Sequence, residues 1–283
     1  LTVLGEFDKS LIETYQAIQL SVDLTEDYLF DSGDNNNPSA HDRWWLRLRS
    51  MYMAADTYRR KGELDKAMEV LSETIKLAEP AVNKLPSLAS NYADIIYMLC
   101  NTRYQIKVDQ EVLKICIKSA KLSEQLLDSK PEEFRLIFNH AIDIGFLSNI
   151  YLELNQTQKA LETVDKAIEL TQKLNQWDPD NKTVENDLVS NLNIKGQILY
   201  EKGDLLASQS LFEKSYQIIM RLAKDNEEMH FAHNKLYSEI YLNKLDEAQI
   251  TADFLKSKGM KTKDLLELFA ELDNRINNNF NEE

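Results

Sequence analysis

Two stretches of sequence decide the fold: YRRKGELDKAMEVLSETIKL at residues 58–77 and YLELNQTQKALETVDKAIEL at residues 151–170. Each holds a short break, centred on Gly62 or Asn155, between two segments whose apolar residues recur at helical spacing. Breaks of this kind recur at steps of 46, 47, 48 and 40 residues, at 61–64, 107–109, 154–156, 202–205 and 242–245. A regular period of this length predicts a row of helical hairpins.

Small side chains recur at fixed distances from these breaks, because two helices can cross closely only where their side chains are small. The positions seven before, five after and twelve after each central residue hold Gly, Ala, Ser or Thr in 11 of 15 cases, although these types make up only about one residue in five. The eleven are Ala55, Ala67, Thr74, Ala120, Ser148, Ala160, Ala167, Gly196, Ser208, Ser215 and Ala248. The second copy, with Val108 in its turn and Leu113 at a crossing, is the least regular.

An aromatic residue also recurs four positions before the break, as Tyr58, Tyr104 and Tyr151. Together with the small crossing residues and the Gly or Asn turns, it makes the pattern resemble the tetratricopeptide repeat. The resemblance implies an all-α fold, a right-handed α-solenoid of stacked antiparallel helix hairpins. The units are about 13 residues longer than the familiar 34-residue repeat, and are similar to the elongated repeats of bacterial signalling and regulatory proteins.

The predicted organisation is a single solenoid domain over residues 1–283. Its predicted parts are the second half of a truncated repeat at 5–30, a loop at 31–40, repeats at 41–83, 87–128, 131–176, 180–224 and 226–258, a capping helix at 262–276 and a frayed tail at 277–283. Gly5, Ser10 and Ala17 mark the truncated repeat. Because a repeat helix without its partner leaves an apolar face uncovered, the chain is predicted to be part of a longer protein.

One helix start is predicted from local signals. Pro131 falls where the first helix of the third repeat should begin, and Ser129 with Glu132 matches a capping box.

Composition excludes several classes of function. The net charge of −14 opposes general binding to nucleic acid or anionic lipid. No apolar run approaches the length of a membrane span, and we expect a cytoplasmic protein, or a periplasmic one if a membrane anchor precedes it. Cys100 and Cys116 lie in apolar helical surroundings typical of small buried hydrophobic residues, and whether they are free thiols stays open.

Residues suited to catalysis are scarce. Glu227, His230 and His233 share one predicted helix face, so a metal-dependent activity there is a remote alternative. The seven glycines form neither a P-loop nor a dinucleotide fingerprint. We therefore predict a segment that is not an enzyme, needs no cofactor and binds protein or peptide.

The resemblance implies that the first helix of each pair lines the inner wall of the solenoid. Inner-wall amides would hydrogen-bond the backbone of a bound peptide, and tyrosines would supply flat contact area. The predicted residues of this concave groove are Asn149, Asn193, Gln197, Tyr200, Asn234, Tyr237 and Tyr241. The predicted role is the sensor or docking region of a bacterial signalling or regulatory protein.

A second candidate surface surrounds the first long helix. Arginine interleaved with tryptophan can mark a patch for nucleic acid or an acidic peptide, and the alternative function is a scaffold that assembles a complex through its convex face and this patch. Its residues are Arg43, Trp44, Trp45, Arg47, Arg49, Arg59 and Arg60. The alternative is that one tryptophan packs within the hairpin and the arginines pair with acidic residues of this chain.

Overall fold

The computed structural model describes residues 40–223 and 229–282, together with residues 9, 11–16, 18 and 19. Regular secondary structure in these ranges is helical throughout. The chain forms two compact units, residues 1–126 and 127–283.

From residue 40 onward the described part of the first unit holds four helices: α1 (Ala40–Lys61), α2 (Leu64–Lys84), α3 (Ala89–Ile106) and α4 (Gln110–Ser129), of which the last runs three residues past the unit boundary. A 3-10 turn at Pro86–Leu88 leads into α3. Helix α2 packs against both α1 and α3 around a core that includes Leu48, Leu71 and Ile96. The phenol oxygens of Tyr15 and Tyr58 lie 3.1 Å apart, so the helical segment 11–16 approaches the end of α1. Gly5, Ser10, Ala17 and the predicted loop up to residue 39 lie outside the described residues.

A disulfide joins α3 to α4. Cys100 and Cys116 are each 1% exposed, and their sulfur atoms are bonded to each other. Their burial was expected from the sequence. Their pairing was not, and it makes the bond a covalent staple across the least regular hairpin.

The second unit contains three hairpins and a final helix. The first hairpin pairs α5 (Phe134–Glu153) with α6 (Thr157–Trp177), and the next pairs α7 (Lys182–Glu201) with α8 (Leu205–Leu222). The third pairs α9 (Met229–Tyr241) with α10 (Leu245–Ser257). Helix α11 (Lys263–Glu282) covers the stack by packing against α9 and α10.

The first helices of these hairpins form the inner row of the second unit. Helix α5 contacts α7, α7 contacts α9, and α9 contacts α11. Among the described residues, the second helices α6, α8 and α10 make few or no close contacts with one another. Because the row of first helices is the more closely spaced, the surface over it is the concave one within this unit.

Four of the five breaks form the same turn. Gly62 and Gly203 have φ of 78° and 82°, and Asn155 and Asn243 have φ of 58° and 56°. At the first turn the Glu63 amide donates to the Tyr58 carbonyl at 2.9 Å, which is the long hydrogen bond of a Schellman motif. Left-handed backbone is what Gly, and next best Asn, adopts at low cost, so the breaks were correctly located.

The remaining break, between α3 and α4, is built differently. Lys107 is extended, and the Asp109 carboxylate accepts hydrogen bonds from the amides of Glu111 and Val112 at 3.0 and 3.1 Å. An aspartate N-cap here replaces the left-handed turn. The second copy of the repeat, which is the least regular in sequence, thus also differs from the others in the structure of its turn.

The small residues in phase with the breaks lie at the helix crossings, as predicted. Ala67, Ala160 and Ser215 are fully buried. A Cβ atom added to Gly196 of α7 would lie 2.8 Å from the ring of Phe212 on α8. The absence of a side chain at Gly196 is thus what lets these two helices approach.

Two local predictions were wrong. Helix α5 begins at Phe134, with Glu133 at its N-cap, so Pro131 lies in the preceding turn and no capping box with Ser129 opens the helix. Helix α11 continues to Glu282, so the final helix extends beyond the predicted 262–276, and the fraying of residues 277–283 stays a prediction.

Candidate peptide-binding surface

The predicted row of amides is largely internal. Asn193 is 2% exposed, and its Oδ1 accepts hydrogen bonds from the hydroxyls of Ser215 and Ser238 at 2.6 and 3.0 Å. Its amide nitrogen donates to the carbonyl oxygen of Asn234 at 3.2 Å. One asparagine of α7 thus connects α8 and α9.

Asn234 has the same internal role. Its side chain is 5% exposed and donates to Oδ1 of Asn186 at 2.9 Å. Buried amides require such partners, because an unsatisfied polar group inside a protein is costly. Asn193 and Asn234 are therefore polar connections between first helices, and the prediction that they face a bound peptide was wrong. Ser215, one of the small residues in phase with the breaks, was the sequence signal for a buried partner.

Gln197 and the tyrosines of the predicted groove lie together, and their contact with a bound peptide stays a prediction. The Tyr237 hydroxyl donates to Oε1 of Gln197, and the Gln197 amide donates to Glu201 at 3.0 Å. The Tyr241 ring stacks on Tyr237, with ring centres 5.2 Å apart, and meets Tyr200 edge to face at 5.6 Å. We call Tyr200, Tyr237 and Tyr241 the tyrosine cluster.

Gly196 positions this cluster indirectly. By admitting the Phe212 ring between the helices, it allows Phe212 to stack on Tyr241 with ring centres 4.7 Å apart. Tyr200 remains 43% exposed at the end of α7. The cluster therefore combines a rigid aromatic base with one ring that is open to a ligand.

The final helix contributes a residue that the sequence analysis missed. The Arg275 guanidinium lies over Tyr241 at 4.9 Å and over Tyr200 at 5.7 Å. It donates to Glu271 at 2.6 Å and to the carbonyl oxygen of Ile240 at 3.1 Å. No local pattern indicates this contact, because Arg275 lies 75 residues from Tyr200 in the sequence.

Burial keeps the phenols of Tyr237 and Tyr241 neutral. Burial raises the pKa of Tyr237 well above its ordinary value, and the neighbouring Tyr241 adds to the effect. Burial, followed by the Glu271 carboxylate, raises the pKa of Tyr241 to about 12, although Arg275 opposes the shift. At neutral pH these phenols are hydrogen-bonding and stacking groups rather than acids or bases.

Asn149, the remaining predicted groove residue, lies half-buried on α5. It belongs to the inner row, but none of the contacts described above joins it to the tyrosine cluster.

The arginine and tryptophan patch of α1 is partly self-paired. Arg59 and Arg60 both bind the carboxylate of Asp56, each at 2.7 Å. Trp44 is buried in the core, whereas Trp45 is 42% exposed. Arg43 is buried, and Arg49 lies over Tyr52 at 5.1 Å. These contacts agree with the alternative that the chain's own acidic and aromatic groups hold the arginines.

The remote metal site lies mostly outside the described part of the chain. Glu227 and the side chain of His230 are not described, and no cluster of three potential ligands occurs among the residues that are. His233 lies on α9, where burial lowers the pKa of its imidazole and the charge of Asp264 opposes the shift.

Comparison with known proteins agrees with the hairpin architecture. A family model for the tetratricopeptide repeat matches residues 48–80 and 145–174, which cover most of α1–α2 and α5–α6. The chain carries tetratricopeptide repeats at these two places. Such repeats are protein–protein interaction modules and are typically non-catalytic scaffolds, and they bind proteins or peptides.

Solved tetratricopeptide-like structures resemble this chain. The crystal structure of BtubC (BKLC) from P. vanneervenii is 15% identical, with a TM-score of 0.54 and coverage of 89% of this chain and 90% of that one. A putative kinesin light chain from Podosopora anserina with nearly identical TPR-like repeats is 16% identical, with a TM-score of 0.47 and coverage of 75% and 95%. At 15% identity the similarity to BtubC concerns the fold alone. No curated protein sequence matches the chain.

None of the described helices is long and apolar enough to cross a membrane.

Proposed function

We propose that the second unit binds a peptide segment of a partner protein along its inner row of first helices, as the docking region of a bacterial signalling or regulatory protein. The observation that carries the proposal is the tyrosine cluster, in which Tyr200 is 43% exposed above rings fixed by Phe212 and Gln197. Exposed tyrosines on a rigid base bind partners at low entropic cost, because they have few rotatable bonds to immobilise. The length of the repeats supports the signalling context.

Selection of peptides from a displayed library of random 12-residue sequences tests the proposal. Peptides selected on the whole chain are measured again on Tyr200→Ala, which alters the inner row, and on Ile250→Ala, which alters an exposed position of the second helix α10. We expect Tyr200→Ala to weaken the selected peptides about tenfold and Ile250→Ala to leave their affinity unchanged.

The opposite pattern would favour the second candidate function, a scaffold that uses its convex face. The observation behind that alternative is the set of exposed apolar side chains on the second helices, such as Ile250 at 70% and Leu206 at 84% exposure. Selected peptides that bind Tyr200→Ala as tightly as the unaltered chain would refute binding at the tyrosine cluster.

A further inference from the structure

The inner row of the second unit has a negatively charged edge. Helices α5, α7 and α9 alternate along the chain with α6 and α8, which run antiparallel to them. The three first helices therefore run in the same direction, and their carboxyl ends share one edge. The carboxyl end of a helix carries a partial negative charge. Two of these three helices also end in a glutamate, Glu153 and Glu201.

This edge already holds two cations supplied by α11. The Lys263 ammonium binds Glu153 at 2.7 Å and Glu267 at 2.8 Å. The Arg275 guanidinium covers Tyr200 and Tyr241 and donates to a carbonyl near the end of α9. The chain thus shows within itself how the edge receives a lysine and an arginine.

Part of the edge remains open. The Tyr200 ring, despite its contact with Arg275, keeps 43% of its surface exposed. Glu201, next to it in sequence, is exposed and accepts a hydrogen bond from the neutral amide of Gln197. The Glu201 carboxylate contributes to the raised pKa of Tyr241, whose ring meets Tyr200 at 5.6 Å, so this acid lies near the tyrosine cluster. An exposed aromatic ring and a carboxylate at one cluster suit a planar cation, which can stack on the ring and bind the acid.

The charge of the whole unit has the same sign. Residues 127–283 contain 28 acidic and 18 basic residues, so most of the chain's net charge of −14 lies in this unit. A basic partner would be attracted from a distance and an acidic one repelled.

We propose that the partner segment bound by the second unit is basic, and that one of its arginines stacks on Tyr200 and pairs with Glu201. This rests on the proposed function and names the chemistry of its ligand. The occupant is an arginine-bearing peptide of a partner protein. Tyr200 supplies the contact surface, Glu201 supplies the counter-charge, and Arg275 keeps Tyr241 in place behind them.

Fluorescence anisotropy with defined probes tests this proposal on the full chain. The probes are three labelled 12-residue peptides with a common Gly/Ser/Ala background and four Arg, four Lys or four Glu residues. We expect binding in the order Arg, Lys, Glu, with the Glu peptide not bound. Tyr200→Ala should weaken the Arg peptide about three- to tenfold, whereas Tyr200→Phe should retain its affinity because the ring face remains.

The chain supplies a matched control for each substitution. Trp177 on α6 is 44% exposed and lies under the Lys173 ammonium at 4.7 Å, so Trp177→Ala removes an equally exposed aromatic without changing the charge. Glu213 on α8 accepts from Gln209 at 3.0 Å, the same pairing and distance as Glu201 with Gln197. Glu213→Gln therefore removes the same charge from an equivalent pair, and we expect it to weaken binding less than Glu201→Gln.

If Trp177→Ala weakens binding of the Arg peptide as much as Tyr200→Ala does, or Glu213→Gln as much as Glu201→Gln, the peptide is held by general attraction to an acidic protein and the proposal is overturned. An Arg peptide that does not bind would also overturn it. The library selection separates this failure from that of the proposed function. If selected peptides need Tyr200 but carry no basic residues, the peptide-binding function stands and the basic partner is wrong.

Discussion

Asn193→Ala is the substitution that most directly separates the sequence-based prediction from the structure. The side chain makes three hydrogen bonds, to Ser215, Ser238 and the Asn234 carbonyl. The two serine hydroxyls lie 3.0 Å apart and Ser238 also reaches the Asn234 carbonyl, so both hydroxyls keep a partner after the change. At about 0.5–1.5 kcal/mol for each lost bond, plus a small cavity, the free energy of unfolding should fall by about 2–4 kcal/mol.

Urea unfolding of the whole chain, followed by circular dichroism, measures this loss. Hydrogen exchange of α9 should show that the loss falls in the second unit. Gln209→Ala is the control, because it removes an exposed amide with one hydrogen bond and should cost less than about 0.5 kcal/mol. A loss below about 0.5 kcal/mol for Asn193→Ala, accompanied by weaker peptide binding, would refute the buried network and restore the amide as a groove residue.

Three further outcomes follow from the structure. Gly196→Ala should destabilise the chain by about 1–3 kcal/mol, seen as a lower melting temperature, and should displace Phe212, seen as altered near-ultraviolet circular dichroism. An unchanged melting temperature would contradict the close crossing of α7 and α8. Reducing the disulfide between Cys100 and Cys116, which are 16 residues apart, should lower the free energy of unfolding by about 3 kcal/mol, measured from melting curves with and without reductant. Identical curves, with a thiol titration confirming that the bond was reduced, would contradict a stabilising disulfide. Burial raises the pKa of Asp187 from 3.8 to about 7, so the folded state retains a proton that the unfolded state releases, and the free energy of unfolding should fall as pH rises from about 4 to 7. Asp187→Asn should flatten this slope and stabilise the protein at pH 8 by up to about 4 kcal/mol. Equal slopes for both proteins would show that Asp187 is not the group responsible.

Much of the candidate surface was predictable because its residues follow the repeat. The tyrosine cluster and Gln197 were assigned from their positions on the first helices, and their role in binding a peptide stays a prediction. Asn193 and Asn234 were misplaced because helical spacing assigns a residue to a broad face only. The part of that face that meets the neighbouring first helix and the part that meets solvent are adjacent, and the sequence does not separate them.

The sequence by itself determined the hairpins. A left-handed turn needs Gly or Asn, and a close helix crossing needs a small side chain, so both requirements are met by residue types at fixed spacing. Only the tertiary structure decided which amides are internal, that Cys100 and Cys116 are bonded, and that Lys263 and Arg275 of the last helix lie on the edge formed by α5, α7 and α9. These contacts join residues on different helices, many of them tens of residues apart, and their geometry depends on how whole helices pack, which no local pattern encodes.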